Sequence, residues 1–89
     1  MLNQCIFIGT INKITRFSKD LLVIQIVISN NDKNQGNLVA VDVNSSMIGK
    51  TYLREEQMIA IKARVESKDA SNYRFQAERI TLLGGQVDA

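Results

Sequence analysis

The chain has 89 residues, 45% of them hydrophobic and 22% charged, which describes one small globular domain. Its formal net charge is only +2, split evenly along the chain, so any attraction for a polyanion has to come from local placement. A single cysteine excludes an internal disulfide, the lack of histidine leaves a zinc site short of ligands, and no run approaches the roughly 20 apolar residues of a membrane span.

Gln4–Ile11, "QCIFIGTI", is an apolar, β-branched run interrupted by Gly9, which predicts a strand with a bulge or sharp bend at the glycine. Leu21–Ser29, "LLVIQIVIS", is apolar almost throughout and predicts a strand buried on both faces or covered by a partner. Residues 30–37, "NNDKNQGN", are a turn by composition. Leu38–Asn44 alternates, placing Val39, Val41 and Val43 inward and Ala40, Asp42 and Asn44 outward. Ser45 or Ser46 can cap a helix running to about Gln57, with Ile48, Tyr52 and Leu53 toward the core. Met58–Glu66 is a fourth alternating strand, "SKDASN" at 67–72 a turn, and Tyr73–Leu83 a last strand with a phase shift between Ala77 and Ile80.

Five strands with one helix between the third and fourth is the order of an oligonucleotide/oligosaccharide-binding (OB) barrel, an all-β fold. The expected domain is residues 1–85, with a short C-terminal end at 86–89. Only one connection is long enough for a crossover helix, so a parallel sheet is not expected.

Motifs that suggest catalysis fail on inspection. "GKT" at 49–51 ends like a phosphate-binding loop, but Asn44 stands where that motif needs its first glycine. "NSS" at 44–46 fits a glycosylation acceptor, yet the N-terminus has no basic leader with an apolar core to direct export. The acidic residues form no acid/base pair and no histidine can serve as base. No enzyme activity, cofactor or metal is expected.

What remains is a set of cations with rings beside them. Lys62 and Arg64 lie two apart on one strand and share a face, Lys68 continues into the turn, and Arg74 returns between Tyr73 and Phe75. Lys13, Arg16 and Phe17 repeat the pairing after the first strand, and Lys33 lies in a polar turn. Single-stranded nucleic acid is held by this combination, cations on phosphates and flat faces under bases. Cations on the outer face of a half-buried strand also serve solubility and edge protection. Tyr73 and Phe75 share one face, so at least one belongs to the core, Phe75 the more readily. Cys5 and Phe7 also share a face, and an oligomer interface accounts for them better than a base does.

The sequence also resembles the bacterial single-stranded DNA-binding (SSB) protein family. "MLNQCIFIGTI" is similar to the family's opening, with Asn3, Gly9 and Ile11 in the matching places; "YLREEQMIAIKARV" at 52–65 and "ERITLLGG" at 78–85 look like its helix-to-strand segment and final strand. The resemblance implies an OB barrel without catalytic activity that coats single-stranded DNA in replication, repair or recombination, as a homo-oligomer of two or four copies. It implies a bacterial cytoplasmic, nucleoid-associated protein with no membrane contact. The primosomal protein PriB shares the fold and length and implies an alternative, a protein-interaction module with weak or no DNA binding. The family's stacking positions correspond to Leu38, Asn44, Lys33 and Lys68, and its glycines near the fourth strand to Glu56 and Ala63. With no tryptophan, stacking has to rely on Phe17, Tyr73 or Phe75, and a larger electrostatic share is expected. The resemblance would place an acidic, apolar tip after the barrel for recruiting other proteins; residues 86–89 do not match one, so recruitment through such a tip is not expected. RNA on the same surface is not separated from DNA, since nothing marks a contact to a 2′-hydroxyl.

Overall fold

Alternation of side chains decides how the strands meet. The computed structural model describes residues 3–28, 37–48, 53–69 and 71–83 (for Lys68, the backbone only). Its elements are β1 (Cys5–Arg16), β2 (Leu21–Ile28), β3 (Asn37–Asn44), α1 (Ser45–Ile48), β4 (Met58–Asp69) and β5 (Asn72–Leu82). The strands close into a barrel in the order β1-β2-β3-β5-β4. All pairings are antiparallel except β3 with β5, where Val41 and Asp42 lie beside Phe75 and Gln76.

Every strand sends one row inward. Ile11, Leu22, Ile24, Ile26, Val41, Val43, Ile59, Ile61, Ala63 and Ala77 are buried and form the core. Phe7, Ile14, Val39, Phe75 and Ile80 pack against it, and Met47, Ile48 and Leu53 cover it from the helix side. The second strand is therefore buried on one face only: Leu22, Ile24 and Ile26 point inward, while Val23, Gln25 and Val27 are half-buried on the outside.

The first strand is longer than the sequence predicts because it serves two neighbours. Cys5–Thr10 pair with β4 and Thr10–Arg16 with β2, and the expected irregularity falls between Ile11 and Lys13 rather than at Gly9. Gly9 has a different task. A Cβ there would overlap the carbonyl oxygen of Val27 and lie 3.0 Å from its carbon, so glycine permits the close approach of β1 to β2. The phase shift in β5 is present as well: Arg79 pairs with Lys62 and Ala77 with Ala63, leaving Glu78 as the extra residue.

The helix does not run to Gln57. Helical structure covers Ser45–Ile48, Tyr52 lies outside the described residues, and Leu53–Gln57 is turn. Competition from β1 keeps the segment before β4 out of a helix. The Glu56 amide donates to the Ile11 carbonyl at 2.8 Å and the Ile11 amide to the Gln57 carbonyl at 2.8 Å, so this backbone bonds outward instead of along a helix. Glu56 adopts φ 75°, a left-handed conformation suited to glycine. Asn3 extends the opposite end: its side-chain amide donates to the Val65 carbonyl at 2.7 Å and accepts from the Val65 amide at 3.1 Å, imitating one more rung of the β1–β4 ladder.

Gly9→Ala is expected to push β1 away from β2 and to destabilise the barrel by about 2 kcal/mol, within the range for overpacked sites. The check is a melting temperature, which should fall by roughly 4–8 °C per kcal/mol for a domain of this size; an unchanged melting temperature contradicts the close-approach argument.

Candidate nucleic-acid interface

The register of β2 and β3 builds one open face. On the outside, Leu21 stands opposite Asn44, Val23 opposite Asp42, Gln25 opposite Ala40 and Val27 opposite Leu38. Thr15 and Lys13 continue these rows onto β1, beside Val23 and Gln25, and Asn12 donates to Gln25 Oε1 at 2.8 Å. On the far side the rows reach β5, where Gln76 neighbours Asp42 and the Arg74 side chain folds over it. The result is a low aliphatic floor of Val23, Val27, Ala40 and Leu38, with Lys13 on one flank and Arg74 on the other. Leu38 is 56% exposed although it is large and apolar.

The basic residues named from the sequence divide among different environments. Lys13 projects from this face. Arg16 turns back at the strand end, Nη1 donating to the carbonyls of Ser18 at 3.3 Å and Lys19 at 3.1 Å, which fixes the β1–β2 turn without cancelling the charge. Phe17, in that turn, is exposed. Lys62 lies on the outer side of β4 between Ile6 of β1 and Arg79 of β5. Arg64 is clasped by two carboxylates, Glu66 at 2.8 Å and Glu78 at 3.2 Å. Arg74 forms a two-pronged pair with Asp42, which is only 8% exposed. These hydrogen bonds, then the carboxylate charges, raise both guanidinium pKa values above their ordinary range. The expected single run of cations from Lys62 through Arg64 and Lys68 to Arg74 is thus interrupted by acids. The side chain of Lys68 and all of Lys33 lie outside the described residues.

The rings are grouped more tightly than the cations. Tyr73 and Phe75 share the inward face of β5, Phe75 half-buried and Tyr73 60% exposed where the strand leaves the barrel. Phe7 meets Phe75 edge to face with centroids 4.9 Å apart, and Phe75 meets Tyr73 likewise at 6.0 Å. Cys5 and Phe7, expected on an oligomer interface, therefore face the interior, opposite Ala63 and Ile61. Strand alternation from the buried Ile11 fixes this parity. The apolar side chains that β1 leaves outside are Ile6, 69% exposed, and Ile8, 55% exposed, with Met58 beyond them on β4.

Solved structures share this architecture over almost its whole length. The N-terminal domain of PriB from Thermoanaerobacter tencongensis, described as dimeric, superposes with a TM-score of 0.78 at 10% identity, covering 93% of this chain and 98% of that one. The fold is the OB barrel. The mitochondrial single-stranded DNA-binding protein Rim1 of S. cerevisiae gives a TM-score of 0.73 at 19% identity, over 93% of this chain and 96% of its own. A small single-stranded DNA-binding protein from Mycoplasma pneumoniae gives 0.63 at 13% identity, over 100% and 95%. No protein-family model and no curated protein matches the sequence.

In OB barrels the face of strands 2 and 3, framed by the β1–β2 and β4–β5 loops, is where oligonucleotides and oligosaccharides bind. Here that face is the one built by Val23, Gln25, Val27, Leu38 and Ala40. Apart from Leu38 and Ala40, these were hidden in a run that reads as uniformly apolar; the signal that separates them is pairing register, which sequence alone does not give. The framing loops are held by short local bonds. In the β1–β2 turn, Ser45 donates its amide to the Asp20 carbonyl at 2.8 Å and its hydroxyl to the Lys19 carbonyl at 3.1 Å, tying the turn to α1. In the β4–β5 turn, Asp69 Oδ1 accepts from the amides of Ser71 at 3.0 Å and Asn72 at 2.9 Å, and from the Ser71 hydroxyl at 3.2 Å.

Those bonds, led by the Ser71 amide, hold the Asp69 carboxyl below the usual aspartate range. A lowered folded-state pKa stabilises the turn above the unfolded value of about 3.9, and that contribution fades as pH falls through the folded value. NMR titration of Asp69 should therefore give a midpoint below that of an unstructured aspartate. A midpoint at or above it contradicts the turn geometry.

Proposed function

We propose that the chain binds single-stranded DNA across the outer face of β2 and β3, in a largely sequence-independent manner and without catalysis. What carries this reading is that face itself. It is an open aliphatic floor with Lys13 on one side and Arg74 on the other, in a fold shared with two single-stranded DNA-binding proteins. Phosphates are assigned to Lys13 and Arg16, which form no ion pair among the described residues. Lys33, between β2 and β3 in the sequence, and Lys68, near the end of β4 rather than in the turn the sequence predicts, are further candidates. Phe17 and Tyr73 supply exposed ring faces, each stacked base contributing roughly 1–3 kcal/mol. The proposed setting is DNA replication, repair or recombination in the bacterial cytoplasm. RNA would meet the same surface.

Titration of fluorescent oligo-dT at about 50 and 200 mM salt tests the reading, since each phosphate contact on a single strand contributes about −0.7 to the slope of log K against log salt. Lys13→Gln should flatten that slope by about 0.7, while Arg64→Gln, already neutralised by Glu66 and Glu78, should leave it unchanged. Affinity indifferent to salt, or preference for duplex, would remove the proposal.

A second reading, a PriB-like assembly module with little DNA affinity, is favoured by one observation: two of the predicted cations, Arg64 and Arg74, have their charge matched in ion pairs. Folded protein that retains no oligo-dT at low salt would select it.

Under either reading the outer stripe of Ile6, Ile8 and Met58 is proposed as the contact between copies of the chain, dimer or tetramer. Aliphatic side chains of this size cover each other well but offer no flat face to a base. Ile8→Glu is expected to lower the mass measured by light scattering at micromolar concentration; a wild-type protein already running as one chain would exclude self-association.

A further inference from the structure

The pair between Arg74 and Asp42 uses only one side of the guanidinium. Nε and Nη2 donate to the two carboxylate oxygens, while Nη1 and the second hydrogen of Nη2 have no partner among the described residues. These form a two-donor fork at the end of a side chain that is itself 62% exposed. The carboxylate is nearly buried, so it anchors the guanidinium plane and fixes where the fork points. Arg74 is thus oriented without being used up.

The fork stands at a cleft of about 410 Å³ lined by Glu66, Ser67, Asn72, Tyr73 and Arg74. Tyr73, braced edge to face by Phe75, supplies an exposed ring that lines the same cleft. Charge decides what such a cleft takes. Arg64 and Arg74 stand in one local network with Asp42, Glu66 and Glu78, two positive groups against three negative ones. A phosphate would add another negative charge where both cations are already matched. A nucleobase adds none. Among the unpaired bases, guanine (O6 and N7) and cytosine (O2 and N3) each offer two adjacent acceptors on one edge, the pattern a guanidinium fork fits with both donors. Guanine, as the purine, has the larger face to lie in a cleft that Tyr73 also lines.

We infer that Tyr73 and Arg74 form a guanine-preferring subsite within the otherwise sequence-tolerant surface, with Asp42 as the positioning residue that aims Arg74. This rests on the proposed binding of single-stranded DNA. Guanine would present its O6/N7 edge to the free fork, in the cleft that Tyr73 also lines. A lysine at position 74 would keep the charge but lose the planar pair of donors.

The test uses the full chain and three labelled oligonucleotides of equal short length, compared by fluorescence anisotropy: oligo-dT, the same strand with one dG, and the same with one 7-deaza-dG, which lacks the N7 acceptor. Because the protein can choose its register on the strand, one dG is enough. The dG strand is expected to bind about tenfold tighter than oligo-dT, as a two-donor base contact allows, and the 7-deaza strand to return to the oligo-dT value. Arg74→Lys should abolish the dG preference. Asp42→Asn should also abolish it while leaving oligo-dT affinity in place, a split that a merely structural loss would not produce. Equal binding of the dG and dT strands by wild-type protein overturns the subsite and leaves DNA binding standing. A preference that survives 7-deaza-dG or Arg74→Lys overturns the assignment to Arg74. No binding of any strand overturns both this inference and the function beneath it.

Discussion

For a five-stranded sheet to close, one strand has to hold two neighbours along its length, and β1 does this by exchanging β4 for β2 around Thr10. The exchange needs a bend and a place where two backbones come closer than a side chain permits. The register shift between Ile11 and Lys13 provides the bend, and Gly9 against the Val27 carbonyl provides the approach. The turn at Leu53–Gln57 then braces the bend by bonding both the amide and the carbonyl of Ile11. A left-handed Glu56 is the conformational cost of that brace. Without the exchange, Lys13 would not stand beside Gln25, and the face of β2 and β3 would lack its cation on that side.

Closure also determines which charges remain available. On the far side of the barrel β3 and β5 share only two paired positions, Val41 with Phe75 and Asp42 with Gln76. The ion pair of Asp42 with Arg74 crosses this short seam and adds a side-chain link where backbone bonds are few. Its energetics differ from those of the exposed Arg64 group. A nearly buried carboxylate left without a partner is strongly unfavourable, so Arg74 is held in place by the cost of exposing Asp42 to an uncompensated environment. Arg64, half-exposed between two glutamates, contributes little to stability but does cancel charge. Two arginines that look equivalent in the sequence therefore play different parts: one is masked and the other is aimed.

The strand order and the inward rows were legible because they depend on local alternation, which β3 and β4 state plainly. Val41 and Val43, and Ile59, Ile61 and Ala63, are buried as their spacing predicts. The second strand was only half legible. Apolar residues at three of the four outer positions, Leu21, Val23 and Val27, erase the alternation, and pairing with β3 is what reveals Val23 and Val27 as floor rather than core. The phase of β1 was misassigned for a related reason: Phe7 and Ile6 are both large and apolar, so composition does not say which one faces Phe75. Ion pairing lay further from reach, because Arg74 and Asp42 are 32 residues apart and Arg64 and Glu78 are 14 apart. Nothing local marks those partners. A surface inferred from cations alone overestimates the free positive charge wherever outward-facing acids share the sheet.

The aromatic residues follow a logic that the shortage of tryptophan makes visible. Phe7, Phe75 and Tyr73 run in one edge-to-face series from the barrel interior to its rim, so each ring fixes the next and only the last is well exposed. A ring held this way loses little freedom when a flat ligand lies on it, whereas Phe17, exposed at the base of the β1–β2 turn, has no bracing ring among the described residues and has to be ordered first. The same reasoning applies to Arg74, whose guanidinium plane is already fixed by Asp42. Pre-ordering thus concentrates at the start of β5, where Tyr73 and Arg74 are adjacent in sequence but project to opposite faces of the strand as it leaves the barrel. Under the proposed binding, a single strand entering the cleft at that rim would meet both a braced ring and an oriented fork. The aliphatic floor of β2 and β3 would offer it area without direction. Under the proposed binding, discrimination among bases therefore belongs at the rim, and tolerance belongs to the floor.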